Sequence, residues 1–89
     1  MVPFPLGQIV ATSGALRLLE ETGEDPCLLL GRHRSGDGGD LDAHDRRENE
    51  LSLKHGWRIL SSYPVGEGRV WIITEANRSH TTILLPEEY

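Results

Sequence analysis

The chain has 89 residues, a formal net charge of −5 and one cysteine, Cys27. That length predicts a single domain over 1–89 with a small core, since a chain of this size buries only roughly 60–65% of its unfolded surface. One cysteine excludes an internal disulfide and a multi-cysteine zinc site, and no run approaches the ~18 apolar residues of a membrane span. A pI near 5.2 argues against a large phosphate-binding surface, whose affinity would need clustered Lys and Arg, so direct nucleic-acid binding is not expected.

The start, "MVPFPLGQ", lacks the basic residues and apolar stretch of a signal peptide, so a soluble cytoplasmic protein is expected. Gln8 to Thr12 reads as a short strand kept extended by the prolines before it. Thr12 or Ser13 can cap a helix over "GALRLLEET", with Ala15, Leu16 and Leu19 on one face and Gly23 as its left-handed stop. A second helix starts at "EDPCLLLGRHR". Asp25 caps it, Pro26 takes the first helical position, where a missing N–H costs nothing, and Leu28, Leu29 and Leu30 are its buried load.

"GDGGDL" is a loop, because three glycines in four positions forbid a long regular element. Asp42 then caps a third helix, "AHDRRENELSLKHG", charged almost all round and seated only by Leu51, Leu53 and Trp57 beyond its Gly56 stop. The last third changes period. "WRILSSY", "RVWIITE" and "HTTILLP" are β-branched and aromatic runs separated by the turn segments "PVGEG" and "ANRS". The expected fold is α+β: about three N-terminal helices followed by a three- to four-stranded antiparallel meander. The expected core is Leu16, Leu19, Leu28, Leu29, Leu51, Ile59, Val70, Ile72, Ile83 and Leu85, with Trp57 sealing one end.

Four chemistries can be weighed for the polar residues. Asp37, Asp40, Asp42 and Asp45 are hard oxygen donors, but "DGGDLDAHDRRE" has no glycine at the sixth position of a calcium loop, and capping already explains Asp42 and Asp45. His33, His44 and His55 lie eleven apart, which is no zinc spacing, and His44 with Glu48 reads as a solvated i,i+4 pair. No metal or other cofactor is expected. Cys27 near a helix start reads as a small core residue rather than a nucleophile. His33, Glu75 and Arg78 are the acid–base candidates. A metal-free ribonuclease needs a base, an acid and a cation for the phosphorane, and these three residue types would supply them. Against that, "EANRSH" also reads as an ordinary polar hairpin.

The whole chain resembles a family of small accessory proteins of proteobacterial plasmids and other mobile elements. The residues that carry the resemblance are "FPLGQIVAT", "GAL" at 14–16, "RH" at 32–33, "GD" at 36–37, "GDL" at 39–41, "ENELSL" at 48–53 and "WIITEANRSHTTILLPEEY" at the C-terminus. The chain departs from that family's pattern at Gly38, where a tryptophan is common, and at His80, where a small apolar residue is common. The order of elements is also similar to that of barnase-type ribonucleases, an architectural likeness only. The mobile-element resemblance implies an accessory role. With the small size and the acidity, it predicts a non-enzymatic protein that binds a basic host or plasmid protein, such as a nucleic-acid-binding defence component, as anti-CRISPR and anti-restriction inhibitors do. The expected partner-binding residues are Asp37, Asp40, Asp45, Glu48 and Glu50. A homodimer through an uncovered sheet edge fits as well.

Overall fold

The computed structural model describes residues 4–89; Pro3, one of the prolines expected to hold the first strand extended, lies outside them. The element order is β1 (Gln8–Ala11), α1 (Ser13–Thr22), α2 (Pro26–Arg34), α3 (Ala43–His55), β2 (Ile59–Val65), β3 (Gly68–Thr74), β4 (His80–Leu84) and a final 3₁₀ turn, Pro86–Glu88. The capping chemistry sets the helix boundaries. Thr12, Asp25 and Asp42 each accept a backbone N–H of the turn they open, and Gly23 and Gly56 close α1 and α3 in the left-handed conformation.

The fold class is α+β, with two corrections to the expected order. The helices do not all precede the strands, and the sheet is mixed rather than purely antiparallel. Its order is β1-β4-β3-β2, and β1 pairs parallel to β4 with Gln8 opposite His80 and Ala11 opposite Ile83. The reason lies at Gly7. Its φ of 66° and the nearness of the Arg78 and Ser79 carbonyl oxygens leave no room for a Cβ, so a glycine lets the chain enter flush against the β3–β4 turn. Gln8 N then donates to Ser79 O at 3.0 Å, and Thr12 N donates to Ile83 O at 3.0 Å.

The core forms between one sheet face and the first two helices: Ala15, Leu19 and Leu29 meet Tyr63, Val65, Val70, Ile72 and Ile83. Leu51 and Leu85 are half-buried. Three residues expected inside are outside. Leu16 is 45% exposed, Leu28 70% and Trp57 50%. Cys27, expected as a small core residue, is exposed too. The face of α2 turned inward carries Leu29 and His33, four residues apart, so Leu28 is rotated to solvent by the helical period. Trp57 lies past the end of α3 and stacks on the His55 ring at 4.9 Å instead of sealing the core.

Leu51 and Leu53 are only half-buried, and α3 is held chiefly by a polar device. The Asn49 side-chain amide reads the edge of β2 as a neighbouring strand would: Leu60 N donates to Asn49 Oδ1 at 3.0 Å, and Asn49 Nδ2 donates to Leu60 O. One step along the same edge, Ser62 N donates to Gly38 O at 2.9 Å and Asp40 N donates to Ser62 O at 2.8 Å. The edge of β2 is thereby closed, the usual remedy for exposed strand edges. The other edge, β1, carries Ile9 and Val10, both more than two-fifths exposed. Asn49→Ala should cost about 1–3 kcal/mol in chemical denaturation, since it leaves a partly buried N–H and C=O without partners, and should raise the tendency to self-associate in light scattering.

Candidate functional site

The stretch "RHRSGDGGDLDAHD" is the most polar of the chain, and the structure divides it into an interior part and an outer part. His33 belongs to the interior. It sits in the last turn of α2, fully buried, and both ring nitrogens are engaged. Nδ1 lies 2.5 Å from Ser61 Oγ on β2, and Nε2 lies 2.8 Å from Thr74 Oγ1 on β3. Thr74 Oγ1 lies 2.7 Å from Thr81 Oγ1 on β4, and Thr81 Oγ1 donates to Leu6 O at 2.7 Å.

The direction of every proton in this chain follows from its last link. A carbonyl oxygen only accepts, so Thr81 spends its hydrogen on Leu6. Thr74 must then donate to Thr81, and His33 Nε2 must donate to Thr74. Nε2 therefore carries a proton, and in the neutral ring Nδ1 is then the acceptor for the Ser61 hydroxyl, the Nε2–H tautomer. Burial, with the nearby positive charge of Arg78 as a lesser cause, pushes its pKa down to about 4. A depressed folded-state value means that the unfolded chain binds the extra proton first. The stability contributed by neutral His33 is therefore complete above pH 6.5 and is lost as pH falls from there toward 4, up to about 3 kcal/mol in all. Nitrogen NMR should find the Nε2–H form at pH 7, and urea unfolding should weaken over that window. In His33→Phe this part of the pH dependence should vanish, with a lower stability at pH 7.

Glu75 and Arg78 do not join His33 in a cleft. Glu75 turns its carboxylate to Arg58, 3.5 Å away. Arg78, at a φ of 60°, spends its guanidinium on carbonyls: Trp57 O at 2.6 Å, Glu75 O at 3.1 Å, Ala76 O at 3.2 Å and Ser52 O at 3.3 Å. It ties the end of α3 to the β3–β4 turn, where a cation also suits the helix dipole. Phe4 packs against both His33 and Arg78, with ring centroid distances of 5.2 Å to the imidazole and 5.7 Å to the guanidinium carbon. His80 lies 3.0 Å from the hydroxyl of its neighbour Ser79 and is half-exposed.

The outer part of the stretch folds over the end of β2. Gly39 takes a φ of 71°, and a Cβ there would collide with the Ser62 carbonyl and the Tyr63 ring. Tyr63 donates its hydroxyl to Asp37 O, and Arg46 clamps the loop through Gly39 O at 2.9 Å and Leu41 O at 3.1 Å. Asp37 pairs with Arg32 at 2.7 Å and accepts from Gly39 N at 3.1 Å, which holds its carboxyl below the usual range. Asp40 pairs with Arg69 at 3.2 Å, and His44 with Glu48 at 3.9 Å, the i,i+4 spacing expected. Asp45 and Glu50 form no ion pair among the described residues. Of the five carboxylates singled out for partner binding, Asp37 and Asp40 are thus neutralised locally, while Asp45, Glu48 and Glu50 share α3 with Arg46, Arg47 and Lys54. Among the described residues no group of three His, Cys, Asp or Glu side chains is placed to hold a metal ion, and no helix is long and apolar enough to cross a membrane.

Between α2, α3 and β2 lies a cavity of about 120 Å³, lined among others by Phe4, His33, Gly38, Leu41, Asn49 and Ile59. A side chain at position 38 would project toward Leu41 and Asn49, and so into this space. Gly38→Trp should fill part of it. Filled volume stabilises by roughly 24 cal/mol per Å³, less the cost of displacing Leu41, so a gain of about 1–2 kcal/mol and a melting temperature several degrees higher are expected. Calorimetry of the variant checks this.

Compared with family models, curated proteins and solved structures, the chain matches none. Sequence reasoning missed Asn49, Ser61, Thr74 and Thr81. The hydroxyls had a signal, since all three fall on apolar-facing strand positions, where a polar side chain must find a partner.

Proposed function

We propose that this protein works by binding a basic protein partner and not by catalysis, as an acidic accessory protein of mobile elements and an inhibitor of the anti-CRISPR or anti-restriction kind. One observation carries the non-catalytic reading. A general base must reach the proton that it abstracts, and His33 is buried with its lone pair and its N–H both committed. Glu75 and Arg78 are likewise held by Arg58 and by backbone carbonyls. The ribonuclease alternative built on His33, Glu75 and Arg78 therefore loses His33 as its base and keeps only the Glu75 carboxylate, paired with Arg58.

What supports binding is the acidic run from Asp37 to Glu50. It lies on the loop and helix that close the β2 edge, and its side chains are exposed apart from a half-buried Asp45. The net charge of −5 gives the encounter its sign. Charges of this kind chiefly set the association rate and its dependence on salt. From Asp37 to Glu50 six carboxylates face two arginines, Arg46 and Arg47, so the run keeps a negative sign.

The test is capture from an extract of the cell that carries the gene, with the wild-type protein and with Asp45→Lys/Glu48→Lys as baits. A basic protein should be retained at low salt by the wild type. It should be lost with the double reversal, and it should elute as the Debye length falls to about 8 Å near 0.15 M salt. Circular dichroism of the variant should be unchanged. RNA hydrolysis by the purified wild type, lost in a folded His33→Gln variant, would overturn the proposal.

A further inference from the structure

The sheet has a second face, turned away from α1 and α2. On it, Leu60 of β2 and Ile73 of β3 are direct cross-strand partners, with Trp71 two residues from Ile73 on the same side. After the 3₁₀ turn the C-terminal Tyr89 folds back over this face. Its ring stands 5.7 Å from that of Trp71 at 65°, yet it is 70% exposed. The result is a cleft of about 370 Å³ between Tyr89 and the first turn of α3. Its floor is apolar and aromatic: Leu60, Trp71 and Ile73. Two charged residues stand at its rim, Arg58 and Asp45.

The two charges are not equivalent. Arg58 is occupied, because it donates to Tyr89 Oη at 3.0 Å and pairs with Glu75 at 3.5 Å. Asp45 has no ion-pair partner among the described residues. It is held in place from behind, its own backbone N–H donating to the Asp42 cap at 2.8 Å. A half-buried carboxylate at one end of an aromatic cleft is matched by a group that is cationic at its head, flat, and apolar along its stem. Arginine meets all three requirements: its plane stacks on aromatic faces and its fork pairs with a carboxylate. A lysine ammonium is more strongly hydrated and has no plane to stack. A nucleotide would bring phosphate toward an unpaired carboxylate on a protein of net charge −5.

We infer that this cleft takes an arginine side chain of the protein partner, with the guanidinium on Asp45 and the stem and plane laid against Trp71 and Leu60. The inference rests on the binding reading above and gives that reading an anchor, since the remaining carboxylates would steer while this contact would hold.

Trp71 can report on its own site. In a Trp57→Phe background the other tryptophan is silent, and capped nona-arginine can be titrated against Trp71 emission at low salt. Saturable quenching is expected. Asp45→Asn should weaken binding about tenfold, equivalent to about 1.4 kcal/mol, and nona-lysine should bind several-fold more weakly than nona-arginine. Trp71→Leu, followed by calorimetry with its fold checked by circular dichroism, should lose a similar amount. No quenching, an Asp45→Asn affinity within twofold of the parent, or equal binding of the two peptides overturns the proposal. Failure of the cleft and failure of the binding reading are separable. If nona-arginine ignores Asp45→Asn while capture still collapses with the charge reversals, the cleft is wrong and the acidic surface stands. If the peptide binds as described and no partner is captured, the cleft takes arginine but the binding reading fails, and with it the assignment of that arginine to a protein partner.

Discussion

The structure depends on one buried polar chain, from Ser61 through His33, Thr74 and Thr81 to the carbonyl of Leu6. It joins α2 to β2, β3 and β4 and reaches the segment that leads into β1. Each link taken alone contributes only about 0.5–1.5 kcal/mol net, whereas an unpaired member of such a chain costs about 1–3 kcal/mol. The asymmetry makes the arrangement a test of register. A strand shifted by one residue would turn its hydroxyl to the other face and strand its neighbour.

The Gly/Asp loop plays the complementary part at the sheet edge. Its polarity suggests a mobile connector, but its backbone is bound at Gly38 and Asp40 to Ser62, and its middle is pinned by Tyr63 and Arg46. With Asn49 beside it, the loop supplies to β2 what a fifth strand would supply. The same residues thus do two things. Their main chain closes the sheet, and their carboxylates face outward where a partner can meet them. A substitution that removes only charge leaves the first role intact, which is why the functional tests use side-chain reversals and not deletions of the loop.

Charge is distributed with the same economy. Arg32, Arg58 and Arg69 each answer one carboxylate, and Arg46 and Arg78 are spent on carbonyl oxygens. The exposed pairs contribute little to stability, as solvent-screened pairs do. They leave Asp45, at the start of α3 and beside an aromatic cleft on the open sheet face, without an ion-pair partner among the described residues.

By itself the sequence determined what depends on neighbours in the chain. The caps at Asp25 and Asp42, the choice of Thr12 or Ser13 for the first, the stops at Gly23 and Gly56, the strand runs of the last third and the burial of Ile59, Val70, Ile72 and Ile83 were all legible, because capping and alternation are local rules. The i,i+4 pair of His44 and Glu48 was legible for the same reason. The tertiary structure decided what depends on distant residues. The parallel placement of β1 joins residues more than seventy apart and has no signature in Gln8–Ala11. The rotation of α2 put Leu28 in solvent and His33 in the core, which three consecutive leucines could not reveal. The fate of His33 itself turned on where Ser61 and Thr74 came to lie. A histidine is a base, a ligand or a structural strut according to what its two nitrogens face, and that is set by packing across the sheet, not by its place in the chain.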